Sequence, residues 1–127
     1  MKYILTTIGV ILFANSLFAN NLALSAPVYS AETLTFTISW DNSWNISTGP
    51  SNHDAAWVFI KRQKCTGNND WVHQLVSTTA ADHSAKVAGV NSTIVSVIPS
   101  ADGVGVYIKR IGTNVVGNVT SQTISLK

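Results

Sequence analysis

The chain has 127 residues and a formal net charge of only +2, from eight Lys and Arg against six Asp and Glu. Nucleic-acid binding requires a clustered basic surface, so this charge excludes nucleic acid as an expected partner. The single cysteine, Cys65, excludes an intramolecular disulfide, so the domain has to be held together by its hydrophobic core.

The N-terminal segment 1–19 has the layout of a secretory signal peptide. A positive charge at Lys2 precedes an apolar run at 4–13, and small residues follow at Ser16 and Ala19. We expect cleavage after Ala19, with Ser16 as the alternative. The apolar run is shorter than the roughly 20 residues that a membrane-spanning helix needs. We therefore expect the mature protein, 20–127, to be secreted or periplasmic, with no membrane contact after cleavage.

The mature part alternates apolar and polar residues at period two, which is typical of β-strands with one buried face. In the clearest run, 33–40, Leu34, Phe36, Ile38 and Trp40 share one face. Segment 56–60 is apolar on both faces and is predicted as a central strand, so we expect Trp57, like Trp40, to lie in the core. All predicted strands are 22–28, 33–40, 56–60, 71–77, 93–98, 104–108 and 119–126.

About seven short strands without intervening helices predict an all-β fold, an antiparallel two-sheet sandwich in one domain at 20–127. Immunoglobulin-like topology is the favoured version, and a barrel is the alternative. Segment 71–77 follows a polar turn at 66–70, so it is expected to form a hairpin with the preceding strand. Segment 41–55 is predicted as the longest loop.

Residue types that carry catalysis are present but not in a recognisable arrangement. No Gly-x-Ser-x-Gly motif occurs, and His53, His73 and His83 lie in unrelated contexts. Nearly all the acids stand at predicted turns, where Asp ordinarily bonds the local backbone. We expect no catalytic residues, no enzyme activity and no cofactor.

The predicted loop 41–55 contains the residues most suited to bind a metal ion. Asp41, Asn42, His53 and Asp54 bring oxygen and nitrogen ligands into that loop. Calcium takes about six to eight oxygen ligands, more than these residues supply, and no zinc-ligand spacing is present. We expect no metal.

The candidate site residues are two tryptophans in polar surroundings and the polar residues near them. Exposed aromatic rings flanked by Asn and Asp are suited to binding sugars, by stacking and hydrogen bonding. The alternative, which we favour from sequence, is that the tryptophans close the end of the sandwich. The candidates are Asp41, Asn42, Trp44, Asn52, Asp54 and Trp71.

Four segments resemble a known module: FTISWDNSW at 36–44, PSNHDAAWVFIK at 50–61, WVH at 71–73 and PSADGVGVYI at 99–108. The module is the β-rich N-terminal domain that precedes formylglycine-generating-enzyme-like (sulfatase-modifying-factor) domains in exported Bacteroidetes proteins. In that family any catalysis belongs to the larger C-terminal domain. The resemblance, over about 20–126, therefore implies a non-catalytic module and no formylglycine generation.

The resemblance also supports a structural clasp at 41–55, in which Asp41 and Asp54 flank the loop, Trp44 packs under it, and Asn42 and Asn52 bond its backbone. The expected function is a module for binding, spacing or surface display, with a glycan or a cell-envelope protein as candidate partner. A severed accessory domain with no activity of its own is the alternative. The oligomeric state is left open.

Overall fold

A computed structural model describes residues 20–67, 70–87, 90 and 92–127. In this part of the chain two antiparallel sheets pack against each other, as an all-β sandwich was predicted to do. The immunoglobulin-like topology stays a prediction. The predicted signal peptide, 1–19, lies outside the described residues.

The described residues form ten strands and one short 3-10 turn, Ala80–Asp82 between β6 and β7. In chain order the strands are β1 (Ala23–Leu24), β2 (Val28–Ser30), β3 (Thr33–Ile46), β4 (Asn52–His53), β5 (Ala55–Gln63), β6 (Trp71–Gln74), β7 (Ser84–Val87), β8 (Val95–Pro99), β9 (Gly105–Arg110) and β10 (Val115–Leu126). Sheet 1 has the order β1-β3-β10-β7, with β2 and β4 also paired to β3. Sheet 2 has the order β6-β5-β9-β8.

Strand β3 forms where the alternation is clearest, and its apolar face is buried as predicted. Phe36, Ile38 and Trp40 are all at most 5% exposed. Ile124 of β10 lies opposite Phe36 and is itself buried, so the two central strands of sheet 1 present one continuous inner face. Each such side chain contributes about 1.5–3 kcal/mol by leaving water.

The prediction of a single loop at 41–55 is wrong, because β3 continues past Trp40 to Ile46. Asn42 has a positive φ of 55°, and the pairing with β10 shifts register between Gly117 and Val119. The backbone N–H of Asn42 donates to Oδ1 of Asn118 at 3.1 Å. Such a bulge breaks the period-two alternation, so the sequence pattern ends where the strand does not.

After Ile46 the chain turns back within sheet 1 and then crosses to sheet 2. Strand β4 pairs with the end of β3, with His53 opposite Asn45. Asp54 follows, and β5 begins at Ala55 in the other sheet. Only 47–51 and Asp54 are left outside strands in the segment that was predicted as one loop.

Strand β5 is central in sheet 2, as predicted, but its two faces are assigned differently from the prediction. Ala56, Val58 and Ile60 pack against the core. Trp57 is 40% exposed and Phe59 is exposed beside it, so the prediction that Trp57 lies in the core is wrong. Because both faces of the segment are apolar, alternation does not decide which one turns inward.

The remaining strands follow the prediction with shifts of bounds. Segment 22–28 is split into β1 and β2, which lie on the edge of β3 with Pro27 between them, as suits a residue that cannot donate to a strand ladder. The predicted β5–β6 hairpin is present, with Gln63 opposite Trp71, although 68 and 69 of its turn lie outside the described residues. Strands β4 and β7 were not predicted.

Candidate functional site

Asp54, at the crossing between the sheets, accepts three hydrogen bonds from β3. Its Oδ2 accepts from the indole Nε1 of Trp40 at 2.6 Å. Its Oδ1 accepts from Oγ of Ser43 at 2.8 Å and from the backbone N–H of Trp44 at 3.1 Å. The backbone N–H of Asp54 in turn donates to the carbonyl of Trp44 at 3.2 Å. These bonds attach the residue immediately before β5, in sheet 2, to β3, in sheet 1.

The neighbouring candidate residues are tied into the same end of sheet 1. The indole Nε1 of Trp44 donates to Oδ1 of Asn52 at 3.0 Å. Asp41 accepts from Nδ2 of Asn21 at 2.8 Å, and its backbone N–H donates to the carbonyl of Asn20 at 2.7 Å.

The structure thus brings five of the six predicted site residues together, in mutual or local hydrogen bonds. Asp41, Asn42, Trp44, Asn52 and Asp54 lie on β3, β4 and the crossing that follows. Asp54, Trp44, Asn52 and Asp41 use side-chain atoms in these bonds, which suits a structural clasp, while Asn42 contributes its backbone N–H. Asn52 bonds the indole of Trp44 and not the backbone that the resemblance implies.

Trp71 lies apart from these five residues. It begins β6 opposite Gln63, at the far end of β5 from Asp54. Nine residues of strand separate the two ends, roughly 25–30 Å at the usual rise of a β-strand. Trp71 is 64% exposed, so it belongs to a different surface.

That surface is the outer face of sheet 2, and its residues follow from the strand register. Lys61 lies opposite His73, and Gln63 lies opposite Trp71, so the outward residues of β6 share a face with those of β5. Trp57 lies opposite Tyr107 of β9, and Tyr107 lies opposite Ile98 of β8. We call this surface the aromatic face; its rings are Trp57, Phe59, Trp71, His73 and Tyr107.

Four of the rings of the aromatic face contact one another in two pairs, which together span three strands. The ring centroids of Trp57 and Tyr107 are 4.5 Å apart, with planes tilted by 45°. The centroids of Phe59 and His73 are 5.5 Å apart, tilted by 48°. These separations lie in the range in which aromatic pairs attract each other, so the rings support each other while staying in contact with solvent.

Gly105 makes room for this arrangement. A Cβ at this position would lie 2.8 Å from Cζ2 of Trp57 and 2.5 Å from the carbonyl oxygen of Val58. The indole of Trp57 therefore lies over the bare backbone of β9 and fills the position where a side chain would stand. This close approach explains why the first residue of β9 is a glycine.

The charges on the aromatic face are of one sign. The outward positions of the four strands of sheet 2 include Lys61 and Lys109 and contain neither Asp nor Glu. The Nζ of Lys61 lies 6.0 Å from the centroid of the Phe59 ring. The aromatic rings of this surface can stack on a ring-shaped ligand. The lysines can donate hydrogen bonds to the same ligand.

A cleft of about 570 Å³ lies between the sheets at the side of β2 and β6. Its apolar lining includes Leu34, Ile60 and Leu126, and Tyr29 stands at its margin, 71% exposed although it lies opposite Leu34. The volume falls within the range of small-molecule sites. The cleft is the second surface that a binding experiment has to separate from the aromatic face.

The three histidines lie in separate parts of the fold. His53 is in β4, His73 is in β6, and buried His83 bonds the carbonyl of Ser77 at 2.8 Å and accepts from the backbone N–H of Lys127 at 3.3 Å. Among the described residues, no three His, Cys, Asp or Glu side chains form a group that could hold a metal ion. In the same part of the chain, no helix has the length and hydrophobicity needed to cross a membrane.

Comparison of the chain with protein-family models, with curated proteins and with solved structures finds no match in any of the three. The resemblance to the module ahead of sulfatase-modifying-factor domains therefore stays a prediction that rests on the four sequence segments. The site has to be interpreted from its own geometry.

Sequence reasoning missed most of the aromatic face. It named Trp71, but it placed Trp57 in the core and did not consider Phe59 or Tyr107 together with them. One signal was present: Trp57 and Phe59 alternate with the smaller Ala56 and Val58, and the smaller side chains are the ones that pack inward. Alternation between large and small apolar residues could have indicated an aromatic outer face.

Proposed function

We propose that the protein is an exported, non-catalytic binding module that holds a glycan on the aromatic face of sheet 2. The observation that carries the proposal is the row of exposed rings, Trp57, Phe59, Trp71, His73 and Tyr107, aligned by strand register on one face. Exposure of so many large apolar groups on one face favours a binding role, because exposed apolar surface is costly in water.

The composition of the face favours a sugar over an apolar protein segment. Aromatic rings carry negative charge on their faces, which attract the polarised C–H groups on the flat side of a sugar ring. The polar groups at the margins, such as Lys61, Lys109 and Ser96, can donate to sugar hydroxyls. A cell-envelope protein is the competing partner, since aromatic residues also dominate protein interfaces.

The test is binding to a panel of soluble plant, algal and bacterial polysaccharides, measured by affinity gel electrophoresis. Trp57→Ala, Trp71→Ala and Tyr107→Ala should each weaken binding roughly tenfold, the size expected when a ring at the centre of an interface is removed. Far-UV circular dichroism should show that the variants keep their strands.

Tyr29→Ala is the matched control, because Tyr29 is an exposed tyrosine beside the cleft and away from the aromatic face. It should leave binding unchanged. Loss of binding in Tyr29→Ala with full binding in Tyr107→Ala would place the ligand in the cleft and contradict the proposal. Failure of the whole panel to bind would contradict the assignment of a glycan.

A further inference from the structure

We infer that the glycan held by the aromatic face is an anionic polysaccharide, whose carboxylate or sulfate groups pair with Lys61 and Lys109. The inference rests on the proposed function and specifies its ligand. Charge complementarity favours an anionic ligand, since the outward strand positions of sheet 2 carry cations and no acids.

Lys109 lies beyond one end of the row of rings, and Lys61 lies within the row, opposite His73. Lys109 lies opposite Ala55 at the start of β5, and Lys61 follows Phe59 further along the same strand. Six residues separate Ala55 from Lys61, roughly 20 Å along an extended strand. A linear polysaccharide lying along the rings would therefore pass both cations, one before the first ring and one beside His73.

Two acids near the strand ends of sheet 2 have their carboxylates in local hydrogen bonds. Two others lie on the side of Lys61: Asp70 immediately precedes Trp71, and Glu32 lines the same cleft as Lys61. Asp54, next to Ala55, uses both carboxylate oxygens in its bonds to β3. Asp102, in the turn between β8 and β9, accepts from Oγ of Ser100 at 2.6 Å and from the backbone N–H of Val104 at 3.1 Å. Hydrogen bonding leaves these carboxylates charged, but the outward positions of the strands themselves carry Lys61 and Lys109 and no acid.

The inference predicts a preference between two polymers that share one backbone. Carboxymethylcellulose and hydroxyethylcellulose are both soluble β-1,4-glucans, but only the first carries negative charge. The chain should bind carboxymethylcellulose about fivefold more tightly in buffer of about 20 mM ionic strength, and the advantage should shrink at about 500 mM. Cellulose sulfate, measured alongside, shows whether carboxylate or sulfate is preferred.

Variants separate local pairing from the overall charge of the protein. Lys61→Gln and Lys109→Gln should each weaken binding of carboxymethylcellulose roughly two- to fivefold and leave hydroxyethylcellulose unchanged, the size expected for exposed charge pairs. Lys86→Gln removes the same charge from an exposed position of β7 in sheet 1, so it should change neither affinity.

The outcomes distinguish the inference from the function on which it rests. Equal affinity for the charged and neutral polymers would overturn the anionic preference and leave the glycan-binding proposal standing. An equal loss in Lys86→Gln and Lys61→Gln would show an effect of net charge alone, which also overturns the inference. If no polymer, charged or neutral, binds, then both the inference and the proposed function are overturned.

Discussion

Asp54 stabilises the point at which the chain passes from sheet 1 to sheet 2. It is half-buried and its carboxylate accepts from an indole, a hydroxyl and a backbone amide, all on β3. Hydrogen bonds to an ionised acceptor are stronger than those between neutral groups. Asp54 therefore fixes both the indole of Trp40 in the core and the point at which β5 begins.

Replacing Asp54 by Ala should lower the free energy of unfolding by about 2 kcal/mol, because three donors lose their partner in a half-buried place. Urea denaturation followed by tryptophan fluorescence measures the change. Asp41→Ala is the control: Asp41 accepts from the exposed side chain of Asn21, so its loss should cost less than about 1 kcal/mol. Equal costs for the two variants would contradict the clasp.

Asp102 gives a pH-dependent signature at the scale of one residue. The hydrogen bond from Ser100, followed by that from the backbone N–H of Val104, holds the pKa of Asp102 below its ordinary value of 3.8. A lowered pKa in the folded state means that the ionised form is the stabilising one. Its contribution is complete about one pH unit above 3.8 and is lost as the pH falls through the folded-state pKa.

Asp102→Asn should therefore be less stable than the parent protein at about pH 6, and the difference should fade as the pH is lowered below about 4. Urea midpoints measured across this range give the result. In a Ser100→Ala background the same substitution should show a weaker pH dependence, because the first cause of the lowered pKa has been removed. A difference that grows on acidification would contradict the assignment.

At the scale of elements, alternation predicts a strand when one face is apolar and the other polar. It identified β3 through the face that Leu34, Phe36 and Ile38 share. It failed where that contrast is missing. Strand β5 is apolar on both faces, so the orientation of Trp57 depends on packing that the sequence pattern does not contain.

Short or irregular elements were missed for a different reason. Strand β4 has only two residues, and β7 is a four-residue strand that owes its place to pairing with β10. The bulge at Asn42 hides the second half of β3, since its extra residue reverses the order of faces. These features depend on partners that are distant in sequence.

Gly105→Ala tests the packing between β5, β9 and the aromatic face. The added Cβ would meet the carbonyl oxygen of Val58, which is backbone and cannot move away cheaply, as well as the ring of Trp57. We expect a loss of roughly 1–3 kcal/mol in the free energy of unfolding, the usual cost of overpacking. Gly49→Ala, where a Cβ would meet nothing within 4 Å, should be nearly neutral. A neutral Gly105→Ala would contradict the close approach of Trp57 to β9.

At the scale of the whole molecule, the two sheets share one core but differ in the orientation and hydrogen bonding of their tryptophans. Trp40 and Trp44 of sheet 1 have their indole N–H groups bonded to Asp54 and Asn52. Trp57 and Trp71 of sheet 2 turn outward. The sequence pointed to the two tryptophans with polar neighbours, Trp44 and Trp71, and it placed the candidate site at the clasp because polar residues cluster there.

The four tryptophans allow one measurement to test the central claim, that ligand lies on the aromatic face of sheet 2. Each contributes one indole N–H signal to a ¹H–¹⁵N NMR spectrum, and single Trp→Phe variants assign them. On titration with short carboxymethylcellulose fragments, the signals of Trp57 and Trp71 should shift together while those of Trp40 and Trp44 stay in place. Shifts confined to Trp40 or Trp44 would contradict the account.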